Sequence, residues 1–190
     1  MVDVKLFQTD YDLALCDIGV VHLGYGAFHR AHQAIYIDDY MGQTGDLRWG
    51  IAAVNLRTAE AETFAEAAQA KSGYVVKSIS PDGAVSFRNV RSHLAFVDAT
   101  SEPEQAYNLL ALPSVKMVTI TVTESGYYFD QNWDLDLAAQ PIAAGIAGEA
   151  SETVYAYLAE ALSRRAAQVD QPVSILCCDN IRSNGRMLEG

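Results

Sequence analysis

Residues 20–32 read Val20-Val21-His22-Leu23-Gly24-Tyr25-Gly26-Ala27-Phe28-His29-Arg30-Ala31-His32, an apolar run that breaks into two glycines and then into residues able to start a helix. A strand, a tight glycine turn and a helix N-terminus make an anion cradle, because unpaired backbone N–H groups and the positive end of the helix dipole converge on one point. A dinucleotide pyrophosphate fits such a cradle. Gly24 and Gly26 take the first two places of the G-x-G-x-x-G pattern, where one glycine allows the turn and the other lets backbone approach phosphate. The third place holds His29. Two glycines after an apolar run also occur in ordinary turns, so the pattern needs support from the rest of the chain.

With 190 residues, 50% of them hydrophobic and only 19% charged, the chain can bury one substantial core, and disorder is excluded. The net charge of −11, with basic residues dispersed, sets up a field that repels DNA or RNA. No apolar run approaches the roughly 20 residues of a bilayer-spanning helix. The opening Met1-Val2-Asp3-Val4-Lys5 lacks a signal-peptide layout, so a cytoplasmic protein with no membrane partner is expected. Cys16, Cys177 and Cys178 form no spaced pair of the zinc-site kind, and an odd count with two adjacent members is poor disulfide material. Cys177 and Cys178 read as small hydrophobes ending a buried strand, although Cys178 borders Asp179 and a catalytic thiol stays open.

Periodicity organises the remainder. Gly19–Leu23 predicts a buried strand and Phe28–Met41 a helix, with Phe28, Ala31, Ile35 and Tyr36 near helical spacing. Trp49–Val54 is a second strand, and Thr58 suits the cap of a helix over 59–70. Tyr74–Ile79 and Ala84–Val90 flank Ser80-Pro81-Asp82-Gly83, a β-hairpin pattern, and β-structure extends through His93–Val97. A short helix over 102–111, a strand over Val115–Val122, a long amphipathic helix over Ser151–Gln168 and a strand over Pro172–Cys178 complete the order. The expected fold is α/β, a doubly wound and mostly parallel sheet with an antiparallel hairpin insertion. Ligands of such sheets collect beyond the carboxyl ends of the strands. Here those ends are the Gly24 turn, Asn55-Leu56-Arg57, Val122-Thr123-Glu124 and Asp179-Asn180, which one cleft could share.

His22-Leu-Gly-Tyr-Gly-Ala-Phe-His-Arg-Ala-His-Gln33 resembles the N-terminal signature of the mannitol dehydrogenase family of long-chain polyol dehydrogenases, which includes fructuronate and tagaturonate reductases and arabinitol dehydrogenases. Trp49–Arg57, Val118–Tyr127, Thr153–Leu162 and Cys178–Gly185 resemble further segments of that family in the same order. The resemblance implies a Rossmann-type, zinc-independent, NAD(P)-dependent domain acting on a polyol or sugar acid. It also implies a helical C-terminal domain carrying a Val-Asp-Arg block and a general-base Lys, with no counterpart in these 190 residues. Residues 1–190 are therefore expected to be a single cofactor domain, inactive without that partner domain.

The resemblance assigns Gly24, Tyr25, Gly26, Ala27, Phe28, His29 and Arg30 to the cofactor pyrophosphate, with Leu23 beside them as a further cofactor-binding residue; amides of Gly26, Ala27 and Phe28 can donate while Arg30 adds charge. The plainer alternatives are core packing for Phe28 and a solvated side chain for Arg30. Asn55, Arg57, Val122, Thr123 and Glu124 are expected along the cofactor edge. An acid normally ends the second strand to hold the ribose 2′-OH, and none occurs here before Glu60. Arg57 could meet a 2′-phosphate, yet NAD-preferring relatives carry Arg at the matching place, so NAD is expected with NADP not excluded. Asn180 matches the family's active-site asparagine, whose fixed amide dipole suits an oxygen gaining charge as hydride arrives; a turn or cap is its ordinary alternative. His29 and His32 have an i, i+3 spacing that can bind metal, but no third ligand of matching pattern stands nearby, and no metal is expected. His22 and His93 read as hydrogen-bonded structural residues. A second class of function, a non-catalytic nucleotide-binding or protein-interaction module, is compatible with the incomplete glycine pattern.

Overall fold

Strand β1 (Leu6–Gln8) precedes β2 (Ile18–Leu23), α1 (Ala27–Ala31), α2 (Gln33–Thr44), β3 (Gly50–Asn55) and α3 (Ala61–Ala68). Then come β4 (Tyr74–Ile79), β5 (Val85–Val90), β6 (His93–Asp98), α4 (Pro103–Asn108), β7 (Met117–Ile120), α5 (Gln140–Ile146), α6 (Val154–Gln168) and β8 (Ser174–Cys177). This is a computed structural model, and it describes residues 6–70, 73–150, 152–179 and 184–185.

Five strands form the main sheet in the order β6-β3-β2-β7-β8, and every neighbouring pair is parallel. The chain enters at the centre, winds outward through β3 to β6, then crosses back to β7 and β8. That reversal leaves a crevice between the carboxyl ends of β2 and β7, the place where doubly wound sheets bind ligands. The expected α/β architecture with a hairpin insertion is thus present, and β4 and β5 pair antiparallel with Tyr74 opposite Val90 and Ile79 opposite Val85. Their turn closes through Ser80 N–H on the Ala84 carbonyl, with Gly83 at φ +85°.

Strand alternation gives the sheet two different faces. Val21, Leu23, Ala52, Val54, Val118 and Ile120 pack against Leu109, Leu110, Val154, Tyr157, Leu158 and Ala161 from the α4 and α6 side. On the opposite face Val20, Ala34, Ile51 and Val90 form a smaller buried apolar cluster.

Several expectations are corrected. The helix over Phe28–Met41 is broken at His32, whose φ −130° and ψ −78° are not helical, so α1 and α2 are separate. Phe28 and Tyr36 stay 55% and 70% exposed, while Ala34, Asp38 and Met41 turn inward. Thr58 does not cap the next helix; it opens a 3-10 turn over Thr58–Glu60 and α3 follows. The β-structure expected over His93–Val97 is present, as the outer parallel strand β6 of the main sheet. The amphipathic segment starts at Val154, its N-cap Thr153 accepting the Ala156 N–H at 3.2 Å. Among the described residues β8 is an edge strand, with Leu176 45% exposed, so Cys177 and Cys178 end a half-covered strand and not a buried one. All three cysteines are free. No helix among the described residues is long and apolar enough to cross a membrane.

Candidate functional site

Gly24 leaves β2 at φ +95°, a left-handed conformation that costs an L side chain roughly 1–2 kcal/mol. Space forbids a side chain as well, since a Cβ there would lie 2.1 Å from the Thr121 carbonyl oxygen. The turn is therefore wedged between β2 and the end of β7. Gly24 N–H reaches the Val54 carbonyl at 3.3 Å, which ties the turn to β3 also. A Cβ on Gly26 would meet only the Gly24 carbonyl oxygen, at 4.0 Å, so open space faces this residue.

That space is a hollow of ≈ 200 Å³. Its wall comes from Gly24 and Gly26 after β2, Asn55, Leu56, Arg57 and Glu60 after β3, and Thr121, Val122, Thr123, Ser125, Gly126 and Tyr128 after β7, closed by Glu152 and Val154 at the start of α6. Three of the four predicted strand ends thus share one hollow. The fourth runs alongside, since Cys178 N–H donates to the Ile120 carbonyl at 2.8 Å and brings Asp179 up beside β7. Asn180 lies outside the described residues.

The predicted site residues divide by where they point. Gly24, Gly26, Asn55, Arg57, Val122 and Thr123 line the hollow. Leu23 is fully buried in the core beneath it. Of the three amides expected to be free, Gly26 N–H is consumed by the Gly24 carbonyl at 2.8 Å. Ala27 and Phe28 begin α1, where the first N–H groups have no intrahelical acceptor. Phe28 stacks on His32 at 4.7 Å on the outer surface, which removes core packing, the plainer alternative for it. Glu124 borders a wider depression with Phe129 and Trp133, which adjoins the hollow along Thr123, Ser125 and Tyr128.

Tyr25 and His29 turn away from the hollow. The Tyr25 ring meets Phe64, Tyr74, His93 and Phe96 edge-on, and the Arg30 guanidinium stacks on it 5.3 Å from the ring centre. His29 is completely buried and lies flat on His22, ring centres 3.4 Å apart. Where a third glycine would let helix approach strand, two stacked imidazoles fill the gap. His29 Nδ1 donates to Gln33 Oε1 at 2.8 Å, so its Nε2 must accept from His93 Nε2–H, also at 2.8 Å. His93 Nδ1 is left as a buried acceptor without a partner. His22 Nε2–H donates to the Gly24 carbonyl at 2.8 Å while its Nδ1 faces the Thr119 hydroxyl at 2.8 Å, and Thr121 Oγ1 donates to the same Gly24 carbonyl at 2.8 Å. Burial favours the neutral ring in all three: His29 is pushed down to about 4, and His22 and His93 fall well below their ordinary value. A neutral imidazole network thus fixes the carbonyl of the turn. The expected structural role of His22 and His93 holds, and sequence reasoning missed that His29 joins them. The i, i+3 metal spacing is not realised, since His32 sits exposed at the helix break, and no group of three metal-ligating side chains occurs among the described residues.

At the β3 edge, Asn55 is buried and committed: its amide donates to the Arg57 carbonyl at 3.0 Å and to Asp98 Oδ1 at 3.1 Å, and its oxygen accepts Arg57 N–H at 3.2 Å. It shapes the Arg57 loop, and its side chain has little left for a ligand. At the β8 edge the Tyr127 hydroxyl makes a short hydrogen bond to Asp179, whose carboxyl burial pushes up.

Residues 18–190 match the family model described as the mannitol dehydrogenase Rossmann domain. The chain belongs to the mannitol dehydrogenase family. Within this family, D-arabinitol 4-dehydrogenase of Klebsiella pneumoniae is 37% identical over 166 residues, covering 87% of this chain and 36% of that protein. Mannitol 2-dehydrogenase of Pyrenophora tritici-repentis is 36% identical over 169 residues, 88% of this chain and 30% of that protein. Among solved structures, Pseudomonas fluorescens mannitol 2-dehydrogenase in a ternary complex with NAD and D-mannitol superposes with TM-score 0.89 at 28% identity, over 96% of this chain and 37% of that one. A substrate-free D-sorbitol dehydrogenase superposes at 0.86 and 27% identity, over 96% of this chain and 38% of that one. The chain therefore spans about a third of the length of the mannitol dehydrogenase family relatives it matches.

Proposed function

We propose that this chain is the nicotinamide-dinucleotide domain of an oxidoreductase that interconverts a secondary alcohol and a ketone of an open-chain polyol or sugar acid, with NAD as cofactor. The observation that carries the reading is the Gly24–Gly26 turn: one glycine is wedged under the Thr121 carbonyl, and the other faces open space that any side chain would occupy. Backbone can approach a diphosphate there, with the first amides of α1 beside it. The likeness to a fold solved with NAD bound supports the same ligand.

In this reading Gly24 and Gly26 receive the pyrophosphate, Ala27 and Phe28 lend amide hydrogens, and Arg57, Val122 and Thr123 border the adenosine half. Leu23, Tyr25 and His29 support the turn from below, and Arg30, stacked on Tyr25, adds positive charge behind it. Glu124 flanks the nicotinamide end. The bound dinucleotide supplies the hydride at C4 of its nicotinamide; the protein positions it and excludes water. Asn180 is the residue we assign to the substrate oxygen, on the family resemblance. Polyol pocket and general base belong to the C-terminal domain carried by the longer relatives.

Titration of the 190-residue chain with NADH by fluorescence or calorimetry tests the reading. Saturable binding at micromolar to millimolar concentration is expected, and Gly24→Ala should weaken it about a hundredfold or more, because the turn must move to accept a Cβ. A wild-type chain silent to both NADH and NADPH at millimolar concentration overturns it.

A further inference from the structure

The β3 edge presents a problem of chemistry. The acid that usually ends this strand and holds the ribose 2′-OH is missing, and the polar residue in its place, Asn55, is spent on Arg57 and Asp98. Arg57 alone would favour a 2′-phosphate. The structure brings a carboxylate to the same edge from elsewhere. Glu152, 94 residues beyond Thr58, forms part of the wall of the hollow and clasps the β3 loop, accepting Thr58 N–H at 3.1 Å and the Thr58 hydroxyl at 2.5 Å. An ionised carboxylate offers about four acceptor positions, and these two bonds leave about two unused.

We propose that Glu152 replaces the missing strand-end acid: it accepts the ribose hydroxyls of the adenosine half and selects the unphosphorylated dinucleotide over the 2′-phosphorylated one. The inference rests on the reading of the hollow as a dinucleotide site. Two features single out Glu152. Glu60 also lines the hollow, but it is paired with Arg57 at 3.9 Å and so partly offsets the guanidinium at this edge that would welcome a phosphate. Against that partly cancelled pair, Glu152 is an additional negative charge, held in place by two hydrogen bonds to a backbone segment that the cofactor itself must contact. A hydroxyl can donate to it. A phosphate dianion can only be repelled, so the same atom supplies attraction to one cofactor and repulsion of the other.

Dissociation constants for NADH and NADPH, measured on the wild-type chain and on Glu152→Gln, Glu152→Lys, Glu60→Gln and Thr58→Val, test this. Wild type should prefer NADH. Glu152→Gln should lower the preference about tenfold, with weaker NADH binding and NADPH binding equal or tighter, as expected for loss of one charged hydrogen bond. Glu152→Lys should lower it further. Thr58→Val removes the hydroxyl partner but keeps the carboxylate, so the preference should stay within about twofold; Glu60→Gln, which unpairs Arg57, should act through tighter NADPH binding, whereas Glu152→Gln acts through weaker NADH binding. If Glu152→Gln binds both cofactors with the wild-type ratio, or if Thr58→Val shifts the ratio equally, Glu152 is only a clasp for the β3 loop and the assignment fails. If the wild-type chain binds neither cofactor, the dinucleotide reading falls first and takes this inference with it. Matching thermal melts of the variants would exclude misfolding as the cause of any loss.

Discussion

The two faces of the main sheet are built from alternate residues of the same strands, yet they are opposite in character. On the α4–α6 face, Val21, Val54, Val118 and Ile120 meet Tyr157, Leu158 and Ala161, and the Tyr157 hydroxyl is accounted for by the Ala106 carbonyl at 2.9 Å. On the α1–α2 face the next residue along β2 is His22, stacked on His29 and bonded to Gly24 and Thr119. The first face holds the molecule together. The second gives up apolar burial for a polar network whose outlet is the Gly24 carbonyl of the glycine turn. Over β7 and β8 that second face is not even closed: Phe28, Tyr36, Tyr40 and Met117 line an open apolar groove of ≈ 540 Å³.

Truncation of the well-packed face should show the largest effect. Ile120→Ala, at a fully buried position, should cost about 3–4 kcal/mol in urea unfolding, whereas Met117→Ala, three residues earlier on the half-covered face, should cost under half as much. Equal costs would erase the contrast. Acid comes next. Burial holds His29 neutral down to about 4 while an unfolded chain protonates near 6.5, so the stability this ring contributes is intact above pH 6.5 and lost as pH falls toward 4. That amounts to about 3 kcal/mol for His29, with His22 and His93 acting in the same direction; denaturant midpoints between pH 7 and pH 4 should show it, and His29→Gln should flatten the slope. The smallest effect belongs to the open groove. Tyr36→Ser should change stability by no more than about 0.5 kcal/mol, since its ring is 70% exposed, and sedimentation should show self-association no greater than wild type.

How much of this was legible in the sequence follows the same division. Val20–Gly26, the hairpin and the inward stripe of α6 were readable, because each shows the period of its own element and its burial is decided by near neighbours. The break at His32 was not: Phe28, Ala31, Ile35 and Tyr36 carry a helical spacing, yet the residues this segment buries are His29, Ala34, Asp38 and Met41, and Asp38 is held by Thr9, Tyr11 and Arg91 from distant parts of the chain. β1 gave no signal, being three exposed residues placed only by pairing with β5. Gly24 and Gly26 could be assigned from spacing, whereas the imidazole that replaces the third glycine makes sense only beside His22 and His93. Glu152 was beyond reach for a related reason. Its partner Thr58 reads as a helix cap, and nothing local announces a carboxylate arriving from the start of a helix two strands away.

The buried carboxylate of Asp38 has one more implication. Its single oxygen Oδ1 gathers the Thr9 hydroxyl at 3.1 Å, the Tyr11 hydroxyl at 2.5 Å and the Arg91 N–H at 3.2 Å, and Arg91 in turn grips the Thr9 and Tyr11 carbonyls at 2.6 and 3.1 Å. The leader ahead of β2, helix α2 and the hinge between β5 and β6 therefore meet at a single atom. The small sheet β1-β5-β4 has no hydrogen-bonded ladder to the large one among the described residues, and this rivet ties it to α2 beside the Arg88–Asp39 ion pair and the Tyr74 hydroxyl on the Arg30 carbonyl. Loosening at Asp38 would therefore slacken leader and hairpin together, while the five-stranded core, pinned from its other face, stays closed.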